Sequence, residues 1–470
     1  MIGTTVSLPT EPMNIAGRLE RLPLSRFHLL ACGAIGMAMF FDGYDLTLTG
    51  LVIPPLVKTG LLPEALRSWF ISIPLIAAAV GSAVSGVIGD RYGRRRLFIA
   101  NVALYGIASP LCGLAQSYGM LVVLRTLTMF ALGTQIPAGY SYLSELSPRR
   151  SRGRFQSIIA LLVNGALPVG ATIAWLLQSR MPPDLGWRML FLLSGAALLL
   201  VLVPRSVLPE SPRWLAAVGQ LDQAQAVIAA IEQRLLRAGV ALPNPERLPT
   251  PARDLGWATL FGHGIRQRFG LAVLFQICHL SAIFVLVSWL PTIMVSRGIG
   301  AENASAYAAV SFAGGALGPA AAIVLSDRFE RRWMLAGAAG LAALMGLIYP
   351  LQTGALPIMA TGLVLTCTMY FISAVGYGIY IPEILPTGIR LRGMGTAALI
   401  GRITSALTPF AVSAVLSRWG DPFVVVVGVG LLYVVLAPAF ALLGPSTRGR
   451  SLETLEQSGL QPGVMRDVVR

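Results

Sequence analysis

Twelve apolar stretches, each long enough to cross a lipid bilayer, constrain this sequence more than any other feature. Roughly 20 apolar residues span the hydrocarbon core as a helix, and inside lipid only helices or closed barrels satisfy the backbone hydrogen bonds. With 55% hydrophobic and only 12% charged residues in 470, the chain is too apolar for a soluble protein. It is predicted to be an all-α polytopic membrane protein with helices at 29–57, 68–89, 97–116, 118–144, 155–178, 187–207, 268–295, 303–325, 333–351, 355–381, 393–417 and 422–443.

The charged residues between the apolar stretches predict the orientation. Arginine clusters follow the second, fourth, eighth and tenth predicted helices, whereas the turn after the third helix carries no charge. The positive-inside rule places the clustered loops and both termini in the cytoplasm. Because the arginines lie in short clusters between spans, the net charge of +15 is explained by topology, and no nucleic-acid partner is expected. The polar start of the chain lacks the pattern of a cleaved signal peptide.

A long polar segment divides the helices into two sets of six. Within it, Trp214, Leu215, Val218, Leu221, Val227, Ile228 and Ile231 recur with helical spacing, which predicts a cytoplasmic helical lid. A separate soluble domain is the alternative, but about 60 residues would give it a meagre core. The predicted parts are a cytoplasmic N-terminal segment (1–28), a six-helix bundle (29–207), a helical linker (208–267), a second bundle (268–443) and a cytoplasmic tail (444–470).

Two unrelated motifs repeat along the chain at nearly the same offset. Asp327 follows Asp90 by 237 residues (327 minus 90), within Gly86–Arg95 and Ile323–Arg332, and Glu383 follows Glu145 by 238 (383 minus 145). Each motif follows the second or fourth helix of its half. The chain is therefore predicted to be an internal duplication of two parallel six-helix repeats, with substrate bound near the membrane midplane between them.

The loop Gly86–Arg96 resembles the motif that follows the second helix in the major facilitator superfamily. The second copy departs from it, with Ile323, Ser326 and Glu330 where the first copy has glycines. The resemblance implies alternating access, a monomer and a lock of salt bridges at the cytoplasmic helix ends. The predicted cytoplasmic gate consists of Asp90, Arg94, Glu145, Arg152, Asp327, Arg331, Glu383 and Arg390.

Further motifs narrow the resemblance within the superfamily. Asp42-Gly43-Tyr44-Asp45, Arg125 with Glu145, and Pro209–Trp214 resemble the sugar-porter and organic-ion branches. Residues 18–28 and 40–46 look most like bacterial niacin transporters related to the synaptic-vesicle glycoprotein group, with aromatic-acid and proton symporters as the runner-up. This resemblance implies a location in a bacterial inner membrane.

Four ionisable residues lie at membrane depth, where a charge costs several kcal/mol unless it is paired or hydrated: Asp42, Asp45, Arg125 and Arg402. The resemblance implies that Asp45 pairs with Arg125 and releases it on protonation, which makes these residues proton-coupling candidates. A permanent structural salt bridge is the alternative. Asp42 lies three residues earlier on nearly the same helix face and is an equal candidate for the titrating group.

Arg402, about ten residues into the eleventh helix, has no carboxylate of its own half at that depth. We expect it to bind an anionic substrate through two parallel hydrogen bonds; bonding to backbone carbonyls, or to Asp42 or Asp45 across the cavity, stays open. Tyr44, Gln276 and Trp289 are the predicted further substrate contacts.

The predicted function is proton-coupled import of a small aromatic monocarboxylate, above all nicotinate, with lipid, protons and an organic anion as the partners. The alternatives are a symporter for benzoate-type acids or other organic anions, and a drug or metabolite exporter of the same fold. Neither a Gly-Lys-Ser/Thr phosphate loop nor a metal-ligand cluster is found in the sequence, so we expect neither an enzyme nor a cofactor.

Overall fold

The computed structural model describes residues 14–203, 207–248, 255–296, 307, 310–352, 354–419 and 423–457. The membrane helices are α2 (Arg26–Lys58), α3 (Arg67–Tyr92), α4 (Arg94–Cys112), α5 (Tyr118–Leu146), α6 (Arg152–Arg180), α7 (Pro183–Leu193), α10 (His263–Ser296), α11 (Gly314–Leu325), α12 (Arg331–Ile348), α13 (Ala355–Ile372), α15 (Arg390–Trp419) and α16 (Phe423–Leu443). Short helices outside this set are α1 (Ile15–Glu20), α8 (Pro212–Ala217), α9 (Leu221–Arg237), α14 (Ile381–Ile384) and α17 (Leu452–Gln457).

Nine helices within the described residues are long and apolar enough to cross a membrane. Of the other three predicted spans, α4 opens with three consecutive arginines and α15 contains Arg390, Arg392, Arg402 and Arg418, which lower their mean hydropathy. The described part of α11 is short, and the predicted start of that helix at 303 lies outside the described residues.

The same helix pairs pack together in each half. In the first half α3 packs on α5, α2 on α6, and α4 on α7; in the second half α11 packs on α13, α10 on α15, and α12 on α16. The contacts between the halves repeat as well, because α3 packs on α15 and α6 packs on α11. The prediction of two parallel six-helix repeats is therefore confirmed.

Two predicted helices continue in a different helical form. The sixth extends beyond α7 as a 3₁₀ helix, Ser194–Leu202, and the tenth extends beyond α13 as a π-helix, Ser373–Tyr380, before α14. π-helical turns often mark functional sites. Gly378 in this segment lies close to the other half, because a Cβ placed there would come within 2.9 Å of the Tyr140 ring.

The connection between the halves forms a small layer of its own with the N-terminal helix. Side chains of α1, including Ile15 and Leu19, pack with Trp214 of α8 and with Ile228 and Ile231 of α9. All five side chains are buried. The layer lies at the end of the bundle where the arginine clusters meet, which is called the arginine-rich side below.

Candidate functional site

Asp45 and Arg125 form a buried ion pair inside the first half, between α2 and α5. The Arg125 guanidinium donates to the Asp45 carboxylate, and Ser109 of α4 donates to Asp45 Oδ1 at 2.8 Å. Arg125 also donates to Thr49 Oγ1 at 2.5 Å, and both charged side chains are 0% exposed. Several hydrogen bonds thus stabilise each charge, as burial of an ion pair requires.

Asp42 has a different environment from Asp45, although both lie on α2. Its Oδ2 is buried without a hydrogen-bond partner, as are Nδ2 of Asn101 and both amide atoms of Gln135. The three residues line one small cavity. An unpaired buried polar group costs about 1–3 kcal/mol, so these atoms form a polar cluster with hydrogen-bonding capacity for a ligand, a proton or water.

Arg402 of α15 interacts electrostatically with Asp42 of the opposite half and with Tyr377 of the π-helix. No ion pair within 4.0 Å and no side-chain hydrogen bond involves Arg402 in the part of the chain described here. Tyr377 also meets the Tyr140 ring edge-to-face at 5.6 Å between centroids. One carboxylate, one cation and two aromatic rings therefore converge from both halves.

The three residues predicted to contact substrate, Gln276, Tyr44 and Trp289, differ in where the structure places them. Gln276 of α10 is buried and packs against α15 at Gly401, the residue before Arg402, because a Cβ at Gly401 would lie 2.8 Å from the Gln276 Cβ. Tyr44 does not join this cluster: its hydroxyl donates to the Leu190 carbonyl at 2.9 Å, inside the first half. The Trp289 side chain lies outside the described residues.

At the arginine-rich side, Glu145 at the end of α5 connects the two halves. Its carboxylate lies 3.2 Å from Arg94 of the same half and 3.0 Å from Arg390 of the other half, and all three side chains are 0% exposed. Arg94 also binds Asp90 at 2.7 Å.

Glu383 of α14 occupies the equivalent position in the second half. It lies 3.1 Å from Arg331 of its own half and 3.3 Å from Arg152 of the first half. Arg331 in turn binds Asp327 at 3.3 Å. The eight residues predicted to form a gate thus lie in two equivalent sets, each of which exchanges one arginine with the other half.

The two aspartates of the duplicated loops also bind across the halves. Asp90 Oδ2 accepts the backbone N–H of Arg392 at 3.1 Å in the first turn of α15. Asp327 accepts the N–H groups of Gly153 and Arg154 at 3.0 and 2.9 Å in the first turn of α6. Both carboxylates therefore stabilise the positive end of a helix that belongs to the opposite repeat.

An outer layer of ion pairs was missed from the sequence. Glu20 of α1 accepts from Arg152 at 3.2 Å and from Arg213 of α8 at 2.5 Å, and Arg213 also donates to Glu453 of α17 at 2.7 Å. Burial alone would raise the pKa of Glu453, but the Arg213 guanidinium outweighs it and the pKa is lowered. The Pro209–Trp214 motif drew attention to Arg213 in the sequence. Its acidic partners, Glu20 of α1 and Glu453 of α17, belong to no such motif, so only their negative charge could have indicated them.

Metal binding finds no support among the residues described, which contain no group of three His, Cys, Asp or Glu side chains able to hold an ion.

Asn101, the other member of the site that sequence reasoning missed, carried a usable signal. It is a polar amide eight residues into α4, and polar side chains at membrane depth are functional candidates.

Comparison with known proteins gives a consistent result. A family profile described as sugar (and other) transporter matches residues 25–458. The inner membrane metabolite transport protein YdjE of Escherichia coli is 30% identical over 94% of this chain and 98% of its own length. The niacin transporter NiaP of Acinetobacter baylyi is 27% identical over 94% and 100%, and a gallate transporter of Pseudomonas putida is 27% identical over 92% and 93%.

A solved structure of the proton:xylose symporter XylE, a major facilitator superfamily protein, superposes with a TM-score of 0.77. The two chains are 18% identical, and the match covers 92% of this chain and 99% of the other. At this identity the likeness concerns the fold.

Proposed function

We propose that this chain, which belongs to the sugar (and other) transporter family of the major facilitator superfamily, imports a small aromatic monocarboxylate together with protons. Nicotinate is the proposed substrate. One observation carries the proposal: Arg402 of one half interacts electrostatically with Asp42 of the other half and has no ion pair within 4.0 Å among the described residues.

The proposed coupling arises because Asp42 and an anionic substrate compete for the charge of Arg402. While Asp42 is ionised, it offsets the arginine charge across the interface between the halves. Once Asp42 is protonated, Arg402 has no counter-ion, and a substrate carboxylate can take that place in two parallel hydrogen bonds. Proton and anion therefore bind favourably together, which is the thermodynamic requirement for symport.

Asp42 rather than Asp45 is the proposed titrating group. The ionised Asp45 is supported by Arg125 and Ser109, so its protonation would leave a buried guanidinium unpaired. Asp42 has an unpartnered oxygen in this conformation. Under this proposal, the Asp45–Arg125 pair holds α2 and α5 together.

The ring of the substrate would lie among aromatic and amide groups of both halves. Tyr140 and Tyr377 offer ring faces and edges, and Gln276 packs on α15 at Gly401, the residue before Arg402. Such a combination suits a flat aromatic acid. The relatives named niacin transporter and gallate transporter support this substrate class.

The arginine-rich side is proposed to face the cytoplasm, as the positive-inside rule requires. The paired sets around Glu145 and Glu383 would then form the cytoplasmic gate, closed in this conformation. On the same basis we propose the five segments expected from the sequence, with both termini in the cytoplasm. We also propose that the transporter is a monomer.

Uptake of radiolabelled nicotinate into proteoliposomes tests the proposal, with an inward proton gradient and with gallate, benzoate and nicotinamide as competitors. We expect gradient-driven uptake that is lost in Asp42→Asn and Arg402→Gln. Matched controls are Asp184→Asn, at an exposed carboxylate, and Arg418→Gln, at an exposed arginine of the same helix as Arg402; both should retain uptake.

Several outcomes would change the assignment. Stronger competition by gallate or benzoate than by nicotinate would move the substrate to the benzoate-type acids. Uptake by folded wild-type protein that does not respond to the proton gradient would refute the coupling. Export driven by the opposite gradient would favour the exporter, a weaker alternative because Arg402 places a cation where a cationic drug would bind.

A further inference from the structure

A large cavity opens at the arginine-rich side, away from the central site. Its volume is about 880 Å³, and its walls come from α1 and the following loop, the start of α6, the linker around Glu246 and the end of α11. The cavity therefore has walls from both halves of the protein, since α6 and α11 belong to different repeats.

The acidic side chains of this cavity are already neutralised. Glu20 binds Arg152 and Arg213, and Glu246 binds Arg149 at 2.7 Å. Asp327 accepts two backbone N–H groups of α6 and pairs with an arginine of α12.

Three arginines of the same cavity have no acidic partner among the described residues. Arg150 and Arg154 flank the start of α6, and Arg328 follows the end of α11. All three side chains are exposed. A cavity that belongs to both halves thus carries three uncompensated positive charges.

One wall of the cavity is apolar. Leu24 and Val324 line it and are each 51% exposed, and the half-buried Ile323 lines it as well. In a membrane protein, exposed apolar side chains at a helix end lie next to lipid acyl chains. The three arginines and this wall together would contact an anionic molecule with an apolar tail.

We propose that this cavity is a binding site for the headgroup of an anionic phospholipid, of the phosphatidylglycerol or cardiolipin class. Basic pockets between membrane helices on the cytoplasmic side bind such headgroups, and guanidinium groups bind phosphate through paired hydrogen bonds. A soluble anion would use the arginines but would leave the apolar wall unused.

A bound headgroup would contact the start of α6 and the end of α11 together. These two helix ends are already joined by Asp327, which caps α6 from the other half. The lipid therefore stabilises the conformation that is closed on the arginine-rich side, independently of which substrate is carried.

Native mass spectrometry of purified full-length protein, titrated with cardiolipin, tests the proposal. The test variant carries Arg150→Gln, Arg154→Gln and Arg328→Gln; the control carries Arg237→Gln, Arg266→Gln and Arg450→Gln, which remove the same charge at exposed sites elsewhere. A basic residue near the membrane surface contributes roughly fivefold to anionic lipid binding, so we expect about 100-fold weaker binding in the test variant. The control should bind cardiolipin as wild type does.

Equal cardiolipin binding by the test variant and wild type would overturn the proposal, as would equal loss in the control variant. Thermal unfolding in nanodiscs provides a second measurement. Phosphatidylglycerol should raise the Tm of wild type above its value in phosphatidylcholine. The same lipid should raise the Tm of the test variant less. If inorganic phosphate in phosphatidylcholine nanodiscs gives the same rise, the site binds free phosphate and the lipid assignment is wrong.

Discussion

Glu145→Gln should open the arginine-rich side, because it removes a carboxylate that binds both Arg94 of its own half and Arg390 of the other half. Among the residues described, Arg94 keeps Asp90 as an ionic partner, whereas Arg390 keeps hydrogen bonds to Pro382 and Thr387 and an electrostatic interaction with Glu456. The substitution therefore leaves a buried cation of one half against the other half.

The magnitude follows from the distance between the halves. At 3.0 Å and an effective dielectric constant of about 20, the direct attraction between Glu145 and Arg390 is about 5 kcal/mol. Desolvation offsets part of it, and breaking a buried pair by removing one partner costs about 3–5 kcal/mol. A shift of about 3 kcal/mol changes the equilibrium roughly 150-fold, so a closed population of about 99% would fall to about 40%.

The assay is a spin-label distance measurement after the four native cysteines are replaced. Labels at Tyr92→Cys and Phe329→Cys, which are 50% and 54% exposed on opposite halves, report the separation of the arginine-rich ends. Asp184→Asn is the control, because its ion pair with Arg188 is exposed and such pairs contribute little. An unchanged distance distribution in folded Glu145→Gln protein would refute the reasoning.

Three further predictions concern packing, burial and pH. Gly86→Ala should also favour opening, since the added Cβ would lie 2.5 Å from the Arg392 Cα, while Gly270→Ala, with no atom within 4 Å, should leave the same label distances unchanged. Asp45→Asn should destabilise the first half by about 3 kcal/mol, measured as a lower Tm, because it leaves a buried arginine unpaired; an unchanged Tm would contradict this. Burial acts to raise the pKa of Glu232, but hydrogen bonds from two arginines outweigh it and the pKa is lowered. The stabilising contribution of Glu232 should therefore be complete above about pH 4.5 and lost as pH falls further. The free energy of unfolding of Glu232→Gln should depend less on pH in that range.

The duplicated features were predictable from the sequence because each motif appeared twice. The spacing of Asp90 and Asp327, and of Glu145 and Glu383, indicated both the repeat and which loops meet. The exchange of arginines between the halves was not predictable. It depends on how the repeats face each other, and offsets along the chain do not report that.

The central site was predictable in composition but not in arrangement. Helical spacing placed Asp42 and Asp45 on nearly the same face, since three residues leave them about 60° apart around the helix axis. In the structure Asp45 nevertheless pairs with Arg125, whereas Asp42 interacts with Arg402. Tyr44, between them, points into its own half. Asn101 lines the same cavity as Asp42 because α4 packs against α5, which carries Gln135. The sequence pattern of a single helix does not indicate such packing between helices.

The exchange of arginines also constrains how the two repeats can diverge. Glu145 and Glu383 are matched by arginines of the other half that lie 245 and 231 residues away along the chain, so a change in one copy leaves a buried charge in the other. The repeats should therefore change together at these positions. A chimera that joins the first half of this protein to the second half of another transporter should assemble only if the incoming half supplies the equivalents of Arg390 and Glu383.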